Sequence, residues 1–237
     1  WLMNADGSRN RQLMPGSRAL WSPDGTRIAF VKPDNNDTPQ IFVRFMDAEG
    51  LATQVTTFEH APRSMAWSPD GEYIAFVVRV PLKDGWSIKL PGKPKGAKWK
   101  DDPAIIDTLH YRQDRVGLTN TGFDHIFVVP SEGGTPRQLT EGDWNVGQRG
   151  IGVIAGSPTL SWSPDSKKIA FQRFDETEVP EFTMTNYTNE LYPEYQTFKY
   201  PKVGEKNAIV SVHIYNLEKD QIIDAKITDE NEHYIPR

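Results

Sequence analysis

WSPDGTRIAF at residues 21–30 returns as WSPDGEYIAF at 67–76 and as WSPDSKKIAF at 162–171. Each copy reads as a turn followed by a strand. In Ser22-Pro23-Asp24-Gly25 the proline ring presets φ at the second position of a type I turn, and glycine is favoured at the fourth. The run Ile28-Ala29-Phe30-Val31 is short and wholly apolar, as expected of a strand buried on both faces. Arg18-Ala19-Leu20-Trp21 reads as its antiparallel partner, so the decapeptide is the bend of a hairpin.

A second hairpin follows each copy. After the first comes Gln40 to Arg44, the turn Asp47-Ala48-Glu49-Gly50, and Thr53 to Thr56. After the second come His125 to Val129, Ser131 to Gly134, and Pro136 to Thr140. After the third come Ala208 to Tyr215, Asn216 to Asp220, and Gln221 to Ile227. Four antiparallel strands per unit at a period in the forties is the sequence pattern of β-propeller blades. The expected fold is therefore all-β, with Trp21, Trp67 and Trp162 packed between neighbouring blades.

The copies stand 46 and then 95 residues apart. No WSPDG-like stretch lies near position 113, so the long interval is an insertion in a blade and not a concealed extra blade. The expected organisation is a partial blade over 1–17, a blade over 18–60, a blade over 61–143 with an insertion at 81–124, a blade over 157–228 with an insertion at 175–207, and the start of a further blade at 233–237. The two insertions fall between second and third strands, which would place them on one face of a propeller. Partial blades at both ends leave strand edges and apolar faces open, so self-association is expected. The opening Trp1-Leu2-Met3 lacks an initiator methionine, and a removed or uncloned upstream stretch is expected.

The net charge of -5 gives no overall basic field to draw in nucleic acid or an anionic membrane. No apolar run reaches the length of a bilayer span. The absence of cysteine excludes disulfides, thiolate metal sites and a cysteine nucleophile. It fits a cytoplasmic or a periplasmic protein equally.

Three constellations invite a functional reading. Lys89, Lys93, Lys95, Lys98 and Lys100, interleaved with Trp86 and Trp99, have the composition of a nucleic-acid or acidic-partner grip, but Pro91, Gly92, Pro94 and Gly96 read as a solvated, protease-sensitive loop. Asp34-Asn35-Asn36-Asp37 offers oxygen ligands yet lacks the glycine and bidentate glutamate of a calcium loop, and reads as a polar turn. Asp175, Glu176, Glu178, Glu181, Glu190 and Glu194 stand beside Tyr187, Tyr192, Tyr195 and Tyr200, as a partner-binding arm or as an ordinary surface excursion. No site residues, cofactor or metal are assigned from these.

The repeats resemble the Tol-system propeller and, more specifically, the N-terminal propeller of the prolyl oligopeptidase family of serine peptidases. WLMNADGSRNRQL and DHIFVVPSEGGTPRQLTEGDWNVG are similar to its acylaminoacyl-peptidase branch. WSPDSKKIAFQRFDETEVPEFTMTNYTNELYPEYQTFKYPKVGEKNAIVSVHIYNL is similar to bacterial dipeptidyl peptidase IV, with QRFDETEVP and YPKVGEKN the specific parts. Two branches meet between about Asn145 and Trp162, as in a divergent natural member or a constructed hybrid.

The resemblance implies a propeller paired with an α/β-hydrolase domain that carries a Ser nucleophile in a G-x-S-x-G elbow, then Asp and His. This sequence has no such elbow; Gly85-Trp86-Ser87-Ile88-Lys89 lacks the closing glycine, and His60, His110, His125, His213 and His233 have no recognisable base context. The expected role is that of a non-catalytic cap gating peptide access to a hydrolase domain outside this sequence. A free-standing interaction module is the alternative. The dipeptidyl peptidase branch also grips the substrate amine with a paired-glutamate motif, which would stand shortly before Trp162. Here Glu141-Gly142-Asp143-Trp144-Asn145 runs into glycines without Glu-Glu. The dipeptidyl-peptidase-like half tilts the compartment towards periplasmic.

Overall fold

The computed structural model describes residues 1–46, 51–81, 112–113, 117–118, 122–147, 160–186 and 194–226. The lysine cluster of 89–100, the turn at 47–50, Tyr187, Glu190, Tyr192 and residues 233–237 lie outside them. By contact the chain divides into two compact units, one made of Trp1–Arg79, Asp124–Asp175 and Ile209–Arg237, the other of Val80–Phe123 and Glu176–Ala208.

The described strands pair in antiparallel sheets, the three larger ones in the first unit and two two-stranded pairs in the second. β1 (Ser17–Trp21), β2 (Arg27–Pro33), β3 (Pro39–Phe45) and β4 (Thr53–Gln54) lie in that order in sheet one. β5 (Arg63–Trp67) and β6 (Tyr73–Val80) begin sheet two; β7 (Arg112–Gln113) and β8 (Gly117–Leu118) pair with each other; β9 (Phe123–Pro130) and β10 (Arg137–Gln138) complete sheet two in the order β5-β6-β9-β10. β11 (Asn145–Val146), β12 (Leu160–Trp162) and β13 (Lys168–Asp175) belong to sheet three, β14 (Glu181–Asn186) and β15 (Glu194–Lys199) form a separate ribbon, and β16 (Ile209–Asn216) and β17 (Gln221–Asp224) close sheet three. The all-β fold of blade-like sheets, four-stranded in sheets one and two and five-stranded in sheet three, is thus present, and the decapeptides occupy the bends of the hairpins β1–β2, β5–β6 and β12–β13.

Sheet three departs from the simple repeat. Its first position is shared: β12 pairs with β13 from Leu160↔Phe171 to Trp162↔Ile169, while β11 pairs farther along at Asn145↔Phe174 and Val146↔Arg173. Residues 145–146 therefore belong to the third sheet, ahead of its decapeptide.

Alternation along the strands produces two faces per sheet. In sheet one, Ile28, Phe30 and Phe42 lie on one side and Ala29, Val31, Ile41 and Val43 on the other, all 7% exposed or less. Between sheets two and three a continuous core joins Ala75, Val77, Ile126, Val128 and Leu139 to Ile169, Phe171 and Tyr215. Each fully buried Ile or Phe here contributes roughly 1.5–3 kcal/mol.

The second unit contains the β14–β15 ribbon, in register from Glu181↔Lys199 to Asn186↔Glu194. Thr183 and Thr197 share a hydroxyl hydrogen bond of 2.9 Å across it, and Lys202 lies 4.9 Å from the Phe182 ring. Val179 is buried at its base, whereas Met184, Tyr195 and Tyr200 are exposed.

Candidate functional site

The serine and aspartate of each repeat are committed to the turn. Ser22 Oγ donates to Asp24 Oδ1 (2.5 Å) and accepts the Arg27 amide (2.9 Å); Asp24 in turn accepts the Thr26 amide and hydroxyl. The serine–aspartate bond and the two backbone-amide bonds recur at Ser68–Asp70 and at Ser163–Asp165, where Glu72 and Lys167 stand in place of Thr26 and give only their amides. The Ser22 hydroxyl and the Thr26 donors hold the Asp24 carboxyl down to about 2. Gly25 and Gly71 take φ of +71° and +74° at the end of the turn. Ser166 occupies the same place in the third repeat at +58°, and its hydroxyl accepts the Asp70 amide (3.0 Å).

The tryptophans link sheet to sheet. Trp67 Nε1 donates to the Leu20 carbonyl and Trp162 Nε1 to the Ala66 carbonyl, both at 3.2 Å. Arg27 strengthens the first junction: its guanidinium donates to Ser131 Oγ (2.8 Å) and the Gly71 carbonyl (2.9 Å) and lies 5.1 Å from the Trp67 ring.

A second recurrent device sits on the third and fourth strands. Thr56 Oγ1 accepts the Ile41 amide (2.8 Å) and donates to Gln40 Oε1 (2.9 Å). In sheet two, Thr140 Oγ1 accepts the Ile126 amide (2.9 Å) and meets His125 Nδ1 (3.2 Å). Gln40 and His125 are buried equivalents, and burial pushes the His125 pKa below its ordinary value.

A polar cluster lies at the junction of sheets two and three, beside the Glu141–Asn145 stretch. Asp124, 1% exposed, forms an ion pair with Arg63, has Arg79 Nη1 at 3.5 Å, and gives its amide to Asn145 Oδ1 (3.0 Å). A carboxylate between two guanidiniums is compensated, and removing either partner is costly. Beside it, Trp144 meets His125 edge-on at 5.7 Å and stacks on Phe171 at 5.9 Å, with Arg173 4.9 Å from its ring. Arg173 Nη2 donates to Asp175 (2.9 Å). Gly142 is required here: its φ is +109°, and a Cβ would come 2.8 Å from Trp144 Nε1. Glu141 and Asp143 themselves face solvent.

Sequence reasoning missed one contact. Ser211 Oγ and His213 Nε2 stand 2.8 Å apart, with Asp224 across the β16–β17 register from His213. Alternation places residues two apart on one face of a strand, so the S-x-H spacing was the available signal. His213 stacks on Phe171 at 5.8 Å, and burial lowers its pKa. With the ring held between a hydroxyl and a phenyl face, the arrangement reads as a packed junction.

Other expected residues disperse. Asp34 Oδ1 accepts the amides of Asn36 (2.8 Å) and Thr38 (3.1 Å), so this carboxylate organises the β2–β3 turn. Of the acidic arm, Asp175 pairs with Arg173, Glu178 with Lys206, and Glu181 lies 3.7 Å from Lys199.

Residues 152–237 match the family described as the dipeptidyl peptidase IV (DPP IV) N-terminal region. The chain is 30% identical over 155 residues to a probable dipeptidyl-aminopeptidase B of Neosartorya fischeri, covering 59% of this chain and 16% of that protein. It is 30% identical over 200 residues to the corresponding protein of Tuber melanosporum, covering 78% of this chain and 18% of that one. These relatives are fungal, and the chain spans less than a fifth of their length. Among solved structures, Porphyromonas gingivalis dipeptidyl peptidase 4 aligns over 99% of this chain and 29% of its own, at 21% identity and a TM-score of 0.55, a likeness of fold.

Proposed function

We propose that this chain, which carries the N-terminal propeller region of the dipeptidyl peptidase IV type within the prolyl oligopeptidase family, caps the catalytic domain of its parent peptidase and restricts entry to short peptides. The match of residues 152–237 to that N-terminal region carries the reading. The sequence has no G-x-S-x-G elbow, so the chemistry is assigned to the parent's hydrolase part and recognition to this one. Between Glu141 and Trp162 the sequence holds no Glu-Glu, and Trp144 and Asn145 of that stretch pack and bond at the sheet junction. Recognition of the substrate's amine by a carboxylate pair is therefore not part of the proposal.

The test is the complete reading frame. It should encode a G-x-S-x-G followed by Asp and His, and its product should cleave a dipeptidyl chromogenic substrate faster than a long peptide with the same N-terminus. Loss of that length preference when this segment is removed supports the cap. A frame without the elbow, or a length preference indifferent to the segment, overturns it and leaves a free-standing interaction module.

A further inference from the structure

The crossovers from one sheet to the next are built alike. Each sheet carries a stacked ring pair: Phe30 with Phe42 in sheet one, Phe76 with Phe127 in sheet two and Phe171 with His213 in sheet three, centroids 6.1, 6.0 and 5.8 Å apart. Beyond the last strand of sheet one, Gln40 anchors the crossover. Its Oε1 accepts the Thr56 hydroxyl (2.9 Å) and the Phe58 amide (3.1 Å), and its Nε2 donates to the Phe58 carbonyl (2.7 Å). Phe58 then seats its ring on the pair of sheet two, 5.7 Å from Phe76 and 5.1 Å from Phe127.

The second crossover repeats this with an imidazole at each end. His125 stands in the place of Gln40, meeting Thr140 Oγ1 (3.2 Å) and the Gly142 backbone. Trp144 stands in the place of Phe58 and stacks on Phe171 at 5.9 Å. The pair it lands on holds His213 where sheet two has Phe127. Both sheets that meet here belong to this chain.

Charge at these two rings disfavours the closed arrangement. Thr140 Oγ1 already accepts the Ile126 amide, so its hydrogen is left for His125 Nδ1, as that of Thr56 goes to Gln40. A protonated Nδ1 cannot accept it. Around His125 lie Asp124 of its own strand, paired to Arg63 and Arg79, and Glu141 and Asp143 of the crossover. Around His213 lie Ser211 of its own strand, Arg173 of β13 with its partner Asp175, and Asp224 of β17. Arg173 also lies 4.9 Å from the Trp144 ring, so a second cation at His213 adds to one already present. For both rings burial outweighs the nearby carboxylates and opposes protonation.

We propose that the second crossover is an acid-released latch: when His125 and His213 gain protons, the segment carrying Trp144 lets go of sheet three, while the first crossover stays seated. The latch is closed above the unfolded-histidine value of about 6.5. It loosens as pH falls through the lower folded values.

Amide hydrogen exchange on the chain reads both crossovers at once. The Gly147 amide, which donates to the Gln172 carbonyl (2.9 Å), reports the second, and the Phe58 amide reports the first. Corrected for intrinsic rate, protection at Gly147 should fall about tenfold or more between about pH 7.5 and about pH 5, and protection at Phe58 should not. His125→Gln combined with His213→Phe installs the residues of the first crossover and should hold Gly147 protection constant over that range. Each single replacement should recover part of it, so the result does not hang on the double variant. Gly147 protection that ignores pH, an equal fall at Phe58, or a fall that survives the replacements overturns the proposal.

Discussion

Trp162 Nε1 donates to the Ala66 carbonyl at 3.2 Å, one residue before Trp67, which itself donates to Leu20, one residue before Trp21. The tryptophan of the second and of the third repeat thus measures the offset between its sheet and the one before. Trp162→Phe, which keeps the ring burial and deletes the donor, should cost about 1 kcal/mol. Trp162→Ala should cost roughly 3–5 kcal/mol. Trp21→Phe should be nearly silent, because Trp21 is half exposed. Denaturant midpoints of the three variants check the order.

Gly25 and Gly71 have almost the same left-handed φ but different surroundings. A Cβ at Gly25 would meet nothing within 4 Å, whereas one at Gly71 would come 3.0 Å from Arg27 Nη2. Gly25→Ala should therefore cost only the backbone term of about 1–2 kcal/mol. Gly71→Ala should cost more, by displacing the guanidinium that bridges sheets one and two. Equal melting temperatures for the two variants would contradict this.

Acid should loosen the turns. The Asp24 carboxyl is held down to about 2 in the folded chain, against about 3.9 when unfolded. Its contribution is therefore present above pH ~4 and lost as pH falls towards about 2. The Asp70 and Asp165 carboxyls are lowered as well. For Asp70, burial pushes upwards and is outweighed by hydrogen bonds from Ser68, Glu72 and Ser166. Asp24→Asn should flatten this part of the acid limb of a Tm-against-pH curve, and an unchanged limb would remove the turn from the explanation.

His125 offers a cleaner pH experiment, because sheet one already shows the alternative residue. Gln40 makes the corresponding bond to Thr56 without a titrating group. Burial lowers the His125 pKa, so the neutral ring stabilises the fold above the unfolded value of about 6.5, and that stability is lost as pH falls through the folded value. His125→Gln should keep the fold at neutral pH and weaken the decline of Tm on acidification below it. A decline as steep as wild type would assign the effect to His213 instead.

The purified chain should not hydrolyse Gly-Pro or acyl-amino-acid chromogenic peptides. Turnover that follows the protein peak through purification, and that Ser211→Ala abolishes, would make the Ser211–His213 contact catalytic.

Local chemistry is what the sequence determined by itself. A proline-preset turn ending in a positive-φ residue, glycine in two copies and Ser166 in the third, is fixed within four residues, and its three copies announce three hairpins, their strands and the sheet class. The decapeptide also predicted correctly that Trp67 and Trp162 act between sheets. What depends on pairing across long separations was decided by tertiary structure. Asn145 and Val146, without a repeat motif of their own, join β13 because its far end has an unfilled edge. Arg63, Arg79 and Asp124 are scattered singly along the chain and become a cluster only when β5, β6 and β9 lie side by side. Whether a sheet face is core or surface was likewise not legible: the Ala-x-Val pattern of β2 and β6 and the Ala-x-Gln of β13 look alike in sequence, but burial depends on whether another sheet lies against them.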